Sequence, residues 1–474
     1  QGVSSAASDV YKRQVLNSAA NNTAPSITGK LDLGGATRTL DIGEVMINGS
    51  SVLGSANGVN SAGVAAFSVP ATISSALSSG TTGLTKTGAG ILALSGANTF
   101  GGGVTVSAGG LMIGANSTPS AVGSTVTSGP LGTGASSLAS GAFLTATAAY
   151  AIANPMILPS TTRYLGAADL TLNGPLTLAG SVTTFDVAML SGRLLIGTSQ
   201  TGASTGFVKT GNGVLQLVGT STMGGMSTTN GSPNVTVTST AGLLPGMALT
   251  GSGIPGGAVV LSVTNGTQFV MSGNANATVS AQTLSYYTNS FGGGISVLDG
   301  GLAVPFGTSP TTHFTAGLGQ SASGILWGGL GTGPVTISSN ARLHPAGNAT
   351  LMNAFTFGSL VGLSNASGTG TITLQGPVTL ASGVTTFSTE VNTGLDLRAP
   401  VSNASQVTGI VKTGQGSFGI NITGLESVPL TVVNGGALTL YVEGDGNPGN
   451  RALSTLSFGS TLPALTLSTA GQQK

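Results

Sequence analysis

One five-residue phrase occurs three times in this chain, and its spacing narrows the possible folds more than any other feature. It reads Lys86-Thr-Gly-Ala-Gly90, Lys209-Thr-Gly-Asn-Gly213 and Lys412-Thr-Gly-Gln-Gly416. Other segments repeat in the same order. Leu131-Gly-Thr-Gly134 returns as Leu330-Gly-Thr-Gly333, and Val182-Thr-Thr-Phe185 as Val384-Thr-Thr-Phe387. Leu172-Asn-Gly-Pro-Leu-Thr-Leu178 returns as Leu374-Gln-Gly-Pro-Val-Thr-Leu380. These offsets are 199 or 202 residues, against 203 from Lys209 to Lys412. Constant order at a near-constant offset is a collinear duplication, and it points to a repeat architecture in which each unit contacts its neighbours.

A second phrase follows each copy. It is Phe100-Gly-Gly-Gly-Val-Thr-Val106 with Gly109-Gly-Leu-Met-Ile113, then Phe291-Gly-Gly-Gly-Ile-Ser-Val297 with Gly300-Gly-Leu-Ala-Val304. The third version is Leu430-Thr-Val432 with Gly435-Gly436 and Leu438-Thr-Leu440. Apolar and small polar residues alternate with period two, so Val, Ile and Leu share one face of a strand and Thr, Ser and Gln the other. Asp299-Gly300 and Asn434-Gly435 stand at matching corners, where the chain needs positive φ. No long 3.6-residue period appears. The expectation is an all-β, parallel β-helix (a solenoid) of about 20–25 residues per coil. Its coils would stack about 4.8 Å apart into a rod of order 80 Å, with Asn and Thr bonded from coil to coil. A β-sandwich is weighed against it, but regular strand spacing with charged outer faces is missing.

Lys86 and Lys209 are only 123 residues apart, yet the second unit also carries surplus sequence between its two phrases. We place a small inserted β module at 221–287, with strands at Val235-Thr-Val237, Met247-Ala-Leu249, Val259-Val-Leu-Ser-Val263 and Phe269-Val-Met271, and a further strand position at Val279. The β-helix then covers 15–220 and continues over 288–474. Residues 1–14 contain Ser4-Ser-Ala-Ala-Ser-Asp-Val-Tyr-Lys-Arg-Gln14, which resembles the in-frame translation of a sequencing-library adapter and is set aside from the fold.

Composition removes several functional classes. The 13 Lys+Arg and 12 Asp+Glu leave a net charge of +1, and no charged residue lies between Lys209 and Asp299. That balance carries no electrostatic footprint for nucleic acid. The absence of Cys removes disulfides, thiolate metal sites and Cys nucleophiles, and it suits a chain exported unfolded through an oxidising periplasm. Mean hydropathy is +0.38, but the longest apolar stretch, Ala142 to Leu158, is broken by Thr145, Thr147, Asn154 and Pro155. No transmembrane helix is expected.

The run Leu84-Thr-Lys-Thr-Gly-Ala-Gly-Ile-Leu-Ala-Leu-Ser-Gly-Ala-Asn-Thr-Phe100, followed by Gly101-Gly-Gly-Val-Thr-Val-Ser-Ala-Gly-Gly-Leu111, closely resembles the autotransporter-associated β-strand repeat. That repeat marks passenger domains of type V secreted proteins. The resemblance implies a right-handed β-helix exported through a C-terminal outer-membrane barrel, with the repeat aiding transport and folding. It implies a place outside a Gram-negative cell or on its outer membrane. The final residues, Gln472-Gln-Lys474, come before any barrel-like series of strands, so a fragment truncated ahead of its translocator is expected. The reading is an extracellular structural or adhesin-type scaffold, not an enzyme. Its partners would be that barrel of the same polypeptide and an unidentified surface, matrix or glycan. The alternatives are a polysaccharide-active β-helix enzyme and a ligand-binding module carried by 221–287.

Candidate chemistry is sparse. The two histidines, His313 and His344, lack a nucleophile phrase, and Asp299 is the acid nearest His313 in sequence. Gly251-x-Gly253-x-x-Gly256 fits the dinucleotide fingerprint formally, but it contains Pro255 and no helix is expected after it. Thr28-Gly-Lys30-Leu31 lacks the rest of a P-loop. Glu443-Gly-Asp445-Gly-Asn447 is the one acidic cluster and reads as a loop rather than a calcium site. Lys86, Lys209 and Lys412 are expected to face solvent at strand starts and to discourage edge pairing. No catalytic, cofactor-binding or metal residue is assigned, and no cofactor is expected.

Overall fold

A computed structural model describes residues 26–43, 71–202, 204–287, 289–304, 328–425, 427–433 and 436–443. It also describes short strands at 13–16, 46–47, 50–51, 320–321, 324–325, 456–458 and 465–470. Among these residues one 3-10 turn, Ala404–Gln406, is the only helical element. The rest of the regular structure is β, and outside 220–287 it is almost entirely parallel. The fold is an all-β parallel solenoid. Its chain divides into two compact units, residues 1–198 with 210–215, and 199–209 with 216–474.

In the first unit the strands fall into three stacks. Arg38–Ile42, Leu84–Thr87, Val104–Val106, Ser136–Leu138, Met156–Leu158 and Leu176–Leu178 pair in series along one face. Ala71–Ile73, Ile91–Leu94, Gly110–Ile113, Phe143–Ala146 and Thr161–Tyr164 form the second. Tyr150–Ile152, Asp169–Leu172 and Arg193–Thr198 form the third. Register places like on like: Leu92 pairs with Leu111, and Leu111 with Leu144. All three are at most 1% exposed, each a gain of roughly 1.5–3 kcal/mol by apolar burial. Leu84 pairs with Val104, twenty residues on, which sets the length of one coil. At the corner before Gly110–Ile113, Gly109 takes φ +68°, and a Cβ there would meet the Gly90 carbonyl oxygen at 2.4 Å. The close stacking and the positive φ both require glycine. The strand Arg13–Leu16 pairs with Arg38–Ile42, so the boundary set at 14 falls inside one strand.

The second unit repeats the plan. Ile295–Val297, Val335–Ile337 and Phe355–Phe357 stack on one face, and Ala349–Leu351, Gly370–Leu374, Thr393–Leu397 and Ser417–Asn421 on another. Its interior carries an aromatic ladder: Phe355, Phe357, Phe387 and Phe418 have successive ring centroids 5.6, 5.6 and 4.7 Å apart. The duplication survives in the hydrogen bonds. Asn154 Nδ2 donates to the carbonyls of Gly132 and Gly134 at 3.0 and 3.1 Å. Asn353, 199 residues later, donates to Gly331 and Gly333 at 3.2 and 2.8 Å. These bonds tie one coil to the previous one through buried side chains, where an unsatisfied carbonyl would be costly.

Between Thr220 and Tyr287 the pairing changes to antiparallel. The strand Val214–Thr228 pairs with Val279–Tyr287 from Thr220 opposite Tyr287, and also with Asn234–Thr236. Asn234–Thr236 pairs with Gln268–Met271, and that strand with Val260–Asn265. Leu249–Thr250 pairs with Val279–Tyr287. The ring closes through Val260 N to Met247 O and Leu249 N to Ala258 O, both 2.9 Å. The result is a small closed antiparallel barrel with its own core, including Met226, Val235, Leu249, Phe269 and Leu284.

Candidate functional site: the repeated lysine corners

Period two decides where the recurring lysines point. In Leu84–Thr87 the buried positions are Leu84 and Lys86, with Thr85 and Thr87 half-buried. The same phase puts Lys209 with Phe207 and Lys412 with Ile410. All three lysines are 0% exposed. The expectation of solvent-facing lysines is therefore wrong: it followed residue type, whereas the alternation alone assigns the inner face.

The ammonium groups reach the corner that follows each strand. Lys86 Nζ donates to the carbonyls of Thr87 at 3.1 Å, Gly88 at 2.6 Å and Ala108 at 2.8 Å. Thr87 and Gly88 belong to its own coil; Ala108 belongs to the corner of the next. Lys412 Nζ donates to Thr413 O at 3.4 Å and to Gly414 O. Lys209 Nζ donates to Asp299 O at 3.3 Å. Asp299 and Ala108 hold the same position in the second phrase. A lysine ammonium carries three donors, and a tight corner leaves carbonyls that no ladder satisfies. Burial pushes Lys86 down to about 8, against the opposing pull of the Asp41 charge. Lys412 also falls to about 8 through burial. Thr87 Oγ1 holds Asp41 Oδ1 at 2.9 Å beside this corner.

A second recurring side chain escaped the sequence reading. Asn98 accepts from Leu77 N and donates to Pro130 O, both at 2.8 Å. Asn289 accepts from Gln200 N at 2.8 Å and donates to Gly329 O at 3.0 Å. Both are 0% exposed. Their shared place two residues before Phe100 and Phe291 was the available signal.

The other sequence candidates do not assemble. His344 lies 4% exposed on Arg342–Pro345, while His313 lies outside the described residues. Asp299 comes to Lys209 through its backbone carbonyl. The Gly251 to Gly256 stretch is a turn between Leu249–Thr250 and Val260–Asn265, with Ile254 N on Gly251 O at 3.1 Å. Lys30 is exposed on Lys30–Asp32. Asp445, Asn447, Asn434 and Gly435 lie outside the described residues. Among the described residues no group of three His, Cys, Asp or Glu could hold a metal ion, and no helix is long and apolar enough to cross a membrane.

Residues 84–113, which contain the Lys86 corner and both strands it bridges, match the family model for the passenger-associated transport repeat. This segment carries a passenger-associated transport repeat. No curated protein and no solved structure matches the chain. The passenger repeat thus coincides with a physical unit: two stacked strand pairs, Leu84–Thr87 on Val104–Val106 and Ile91–Leu94 on Gly110–Ile113, joined at the corner by a buried ammonium.

Proposed function

We propose that the chain is a non-catalytic passenger scaffold, displayed outside a Gram-negative cell, whose lysine corners lock successive coils as they emerge and whose 220–287 barrel is presented to external partners. The observation that carries this reading is the Lys86 ammonium bonded to carbonyls of two successive coils within the matched repeat. A solenoid stabilised by neighbour contacts can fold progressively from one end. Each completed corner would then oppose backsliding through a barrel of the same polypeptide.

The test is display of the full chain between a signal peptide and an outer-membrane barrel. Surface protease treatment should yield a resistant, strand-rich passenger, and Lys86→Met should reduce the amount displayed. Unchanged export and resistance in Lys86→Met would remove the locking role. The adhesin reading is separable. Its supporting observation is that the barrel closes on its own core. Deleting 221–287 should abolish binding to cells or glycans and leave display intact, whereas retained binding would assign adhesion to the coils.

A further inference from the structure

The chain contains several Asn-x-Ser/Thr triplets, the acceptor motif for N-linked sugars. The structure sorts them by what the carboxamide already does. In the solenoid each described one is a tie between coils. Asn116 accepts from Ala151 N at 2.8 Å and Asn348 from Thr371 N at 2.9 Å. Asn365 donates to Val391 O at 3.3 Å, and Asn403 to Leu380 O at 2.7 Å. Asn421 is 0% exposed and donates to Arg398 O at 2.9 Å.

The barrel differs. Asn234-Val-Thr236, Asn265-Gly-Thr267 and Asn276-Ala-Thr278 all have an exposed Asn and an exposed Thr, and no hydrogen bond ties these carboxamides to a neighbouring coil. Asn265 sits at the hairpin tip between Val260–Asn265 and Gln268–Met271, where every residue from Leu261 to Gln268 is exposed. Its Oδ1 accepts from Thr267 N at 2.9 Å and from Thr267 Oγ1 at 3.2 Å. That pair of donors polarises the carboxamide, and Nδ2 donates at 3.1 Å to Oε1 of Gln268, an exposed side chain of the same hairpin rather than the backbone of another coil.

The surrounding surface gives a physical reason for a modification. Leu261 and Val263 are 52% and 39% exposed on this hairpin, and the barrel carries no charge at all. Exposed strands are ordinarily guarded by charge, and neutral surfaces associate. A sugar at the tip would supply the missing hydrophilic guard.

We propose that Asn265 is a glycan acceptor, with Asn234 and Asn276 as further acceptors on the same barrel. The donor is a sugar activated as a glycosyl diphosphate, carried on a nucleoside or on a lipid. Asn265 Nδ2 forms a bond to the anomeric carbon, the bond from that carbon to the diphosphate oxygen breaks, the diphosphate departs, and the Nδ2 proton passes to a base of the transferase. The biological setting rests on the surface-display reading; the acceptor geometry does not.

The full chain is incubated with a sequon-directed transferase and a nucleotide-activated hexose, and in parallel with a lipid-diphosphate oligosaccharide and its own transferase. Peptide mass spectrometry locates the products, and added mass tells the two donors apart. Modification of Asn265 and none of Asn403 or Asn421 is expected, with Thr267→Ala losing only the Asn265 product. Circular dichroism shows whether that variant keeps its fold. No product at Asn265 with either donor, or equal occupancy at Asn403 and Asn421, overturns the proposal. Chain recovered from its producing bacterium should carry sugar on the 260–271 peptide. A chain found on the surface with that peptide bare also overturns the proposal, whereas a chain missing from the surface defeats the display reading.

Discussion

The solenoid and the inserted barrel are built from nearly the same residue types and solve opposite packing problems. A coil such as Val104 to Ile113 cannot bury its apolar face alone; Leu111 is covered by Leu92 on one side and Leu144 on the other. The barrel buries Leu249, Phe269 and Leu284 within one closed ring. Polar side chains follow the same division. Asn98, Asn154 and Lys86 are buried and bond backbone carbonyls of neighbouring coils. The barrel's Asn234, Asn265 and Asn276 stay at the surface. Cooperativity should therefore be graded in the solenoid and all-or-none in the barrel.

Core truncation gives the largest test of that contrast. Leu92→Ala should cost about 2–5 kcal/mol, as should Leu284→Ala, because each deletes a fully buried side chain. The responses should differ in extent. Hydrogen exchange in Leu92→Ala should quicken mainly in the coils stacked on it, while Leu284→Ala should quicken across the whole barrel and spare the coil at 84–113. Loss of protection across both regions in either variant would break the comparison.

Lys86→Met comes next. It keeps much of the apolar stem but leaves the Gly88 and Ala108 carbonyls without their donor. Each orphaned buried acceptor costs about 1–3 kcal/mol, partly offset by relief of a buried charge. Faster exchange at the 84–113 corner, with the barrel unchanged, is the expected result. Asn154→Ala should cost about 1–2 kcal/mol in the same local way, since it frees the Gly132 and Gly134 carbonyls.

How much of this was legible in advance depends on whether a local pattern or a distant partner decides the outcome. The alternation in Leu84–Thr87 and Val104–Val106, and the duplication behind Asn154 and Asn353, stand in the sequence directly. Residue type points the lysines outward, although the phase that buries Leu84 also buries Lys86. Residue type argues for the surface where position argues for the core, and one of the three carbonyls that make burial of the ammonium tolerable, that of Ala108, comes from another coil. Closure of the barrel was not legible, because beyond the nearby meeting of Met247 to Leu249 with Ala258 to Val260 it needs Val214–Thr228 to pair with Val279–Tyr287 across the whole length of the insertion.

The buried lysines also give the solenoid a pH response that the uncharged barrel should lack. Lys86 and Lys412 sit near pKa 8 when folded, against 10.5 as the ordinary value. Below about pH 8 they are charged in both states, and the folded state bears the cost of burial. Between about pH 8 and 10.5 the unfolded chain binds more protons, so stability must rise with pH across that window. The denaturant midpoint of the coils should climb from pH 8 to 10, and Lys86→Met should flatten the climb; a falling midpoint would contradict the assignment.

The smallest effect belongs to the outward-facing ion pairs. Arg193 and Asp169 are direct partners in the ladder between Asp169–Leu172 and Arg193–Thr198, with Nε 2.9 Å from Oδ1. Both side chains remain 28% exposed. Water and salt screen such a pair, so its net contribution is about 0.2–1 kcal/mol even with two-point geometry. Arg193→Met should lower the coil's denaturant midpoint only slightly, and the difference from wild type should shrink further in molar salt. A loss as large as that of Lys86→Met, or one insensitive to salt, would mean that the outer face also holds the coils together. The division between a sealed interior that bonds coil to coil and an exterior left free for contact would then fail.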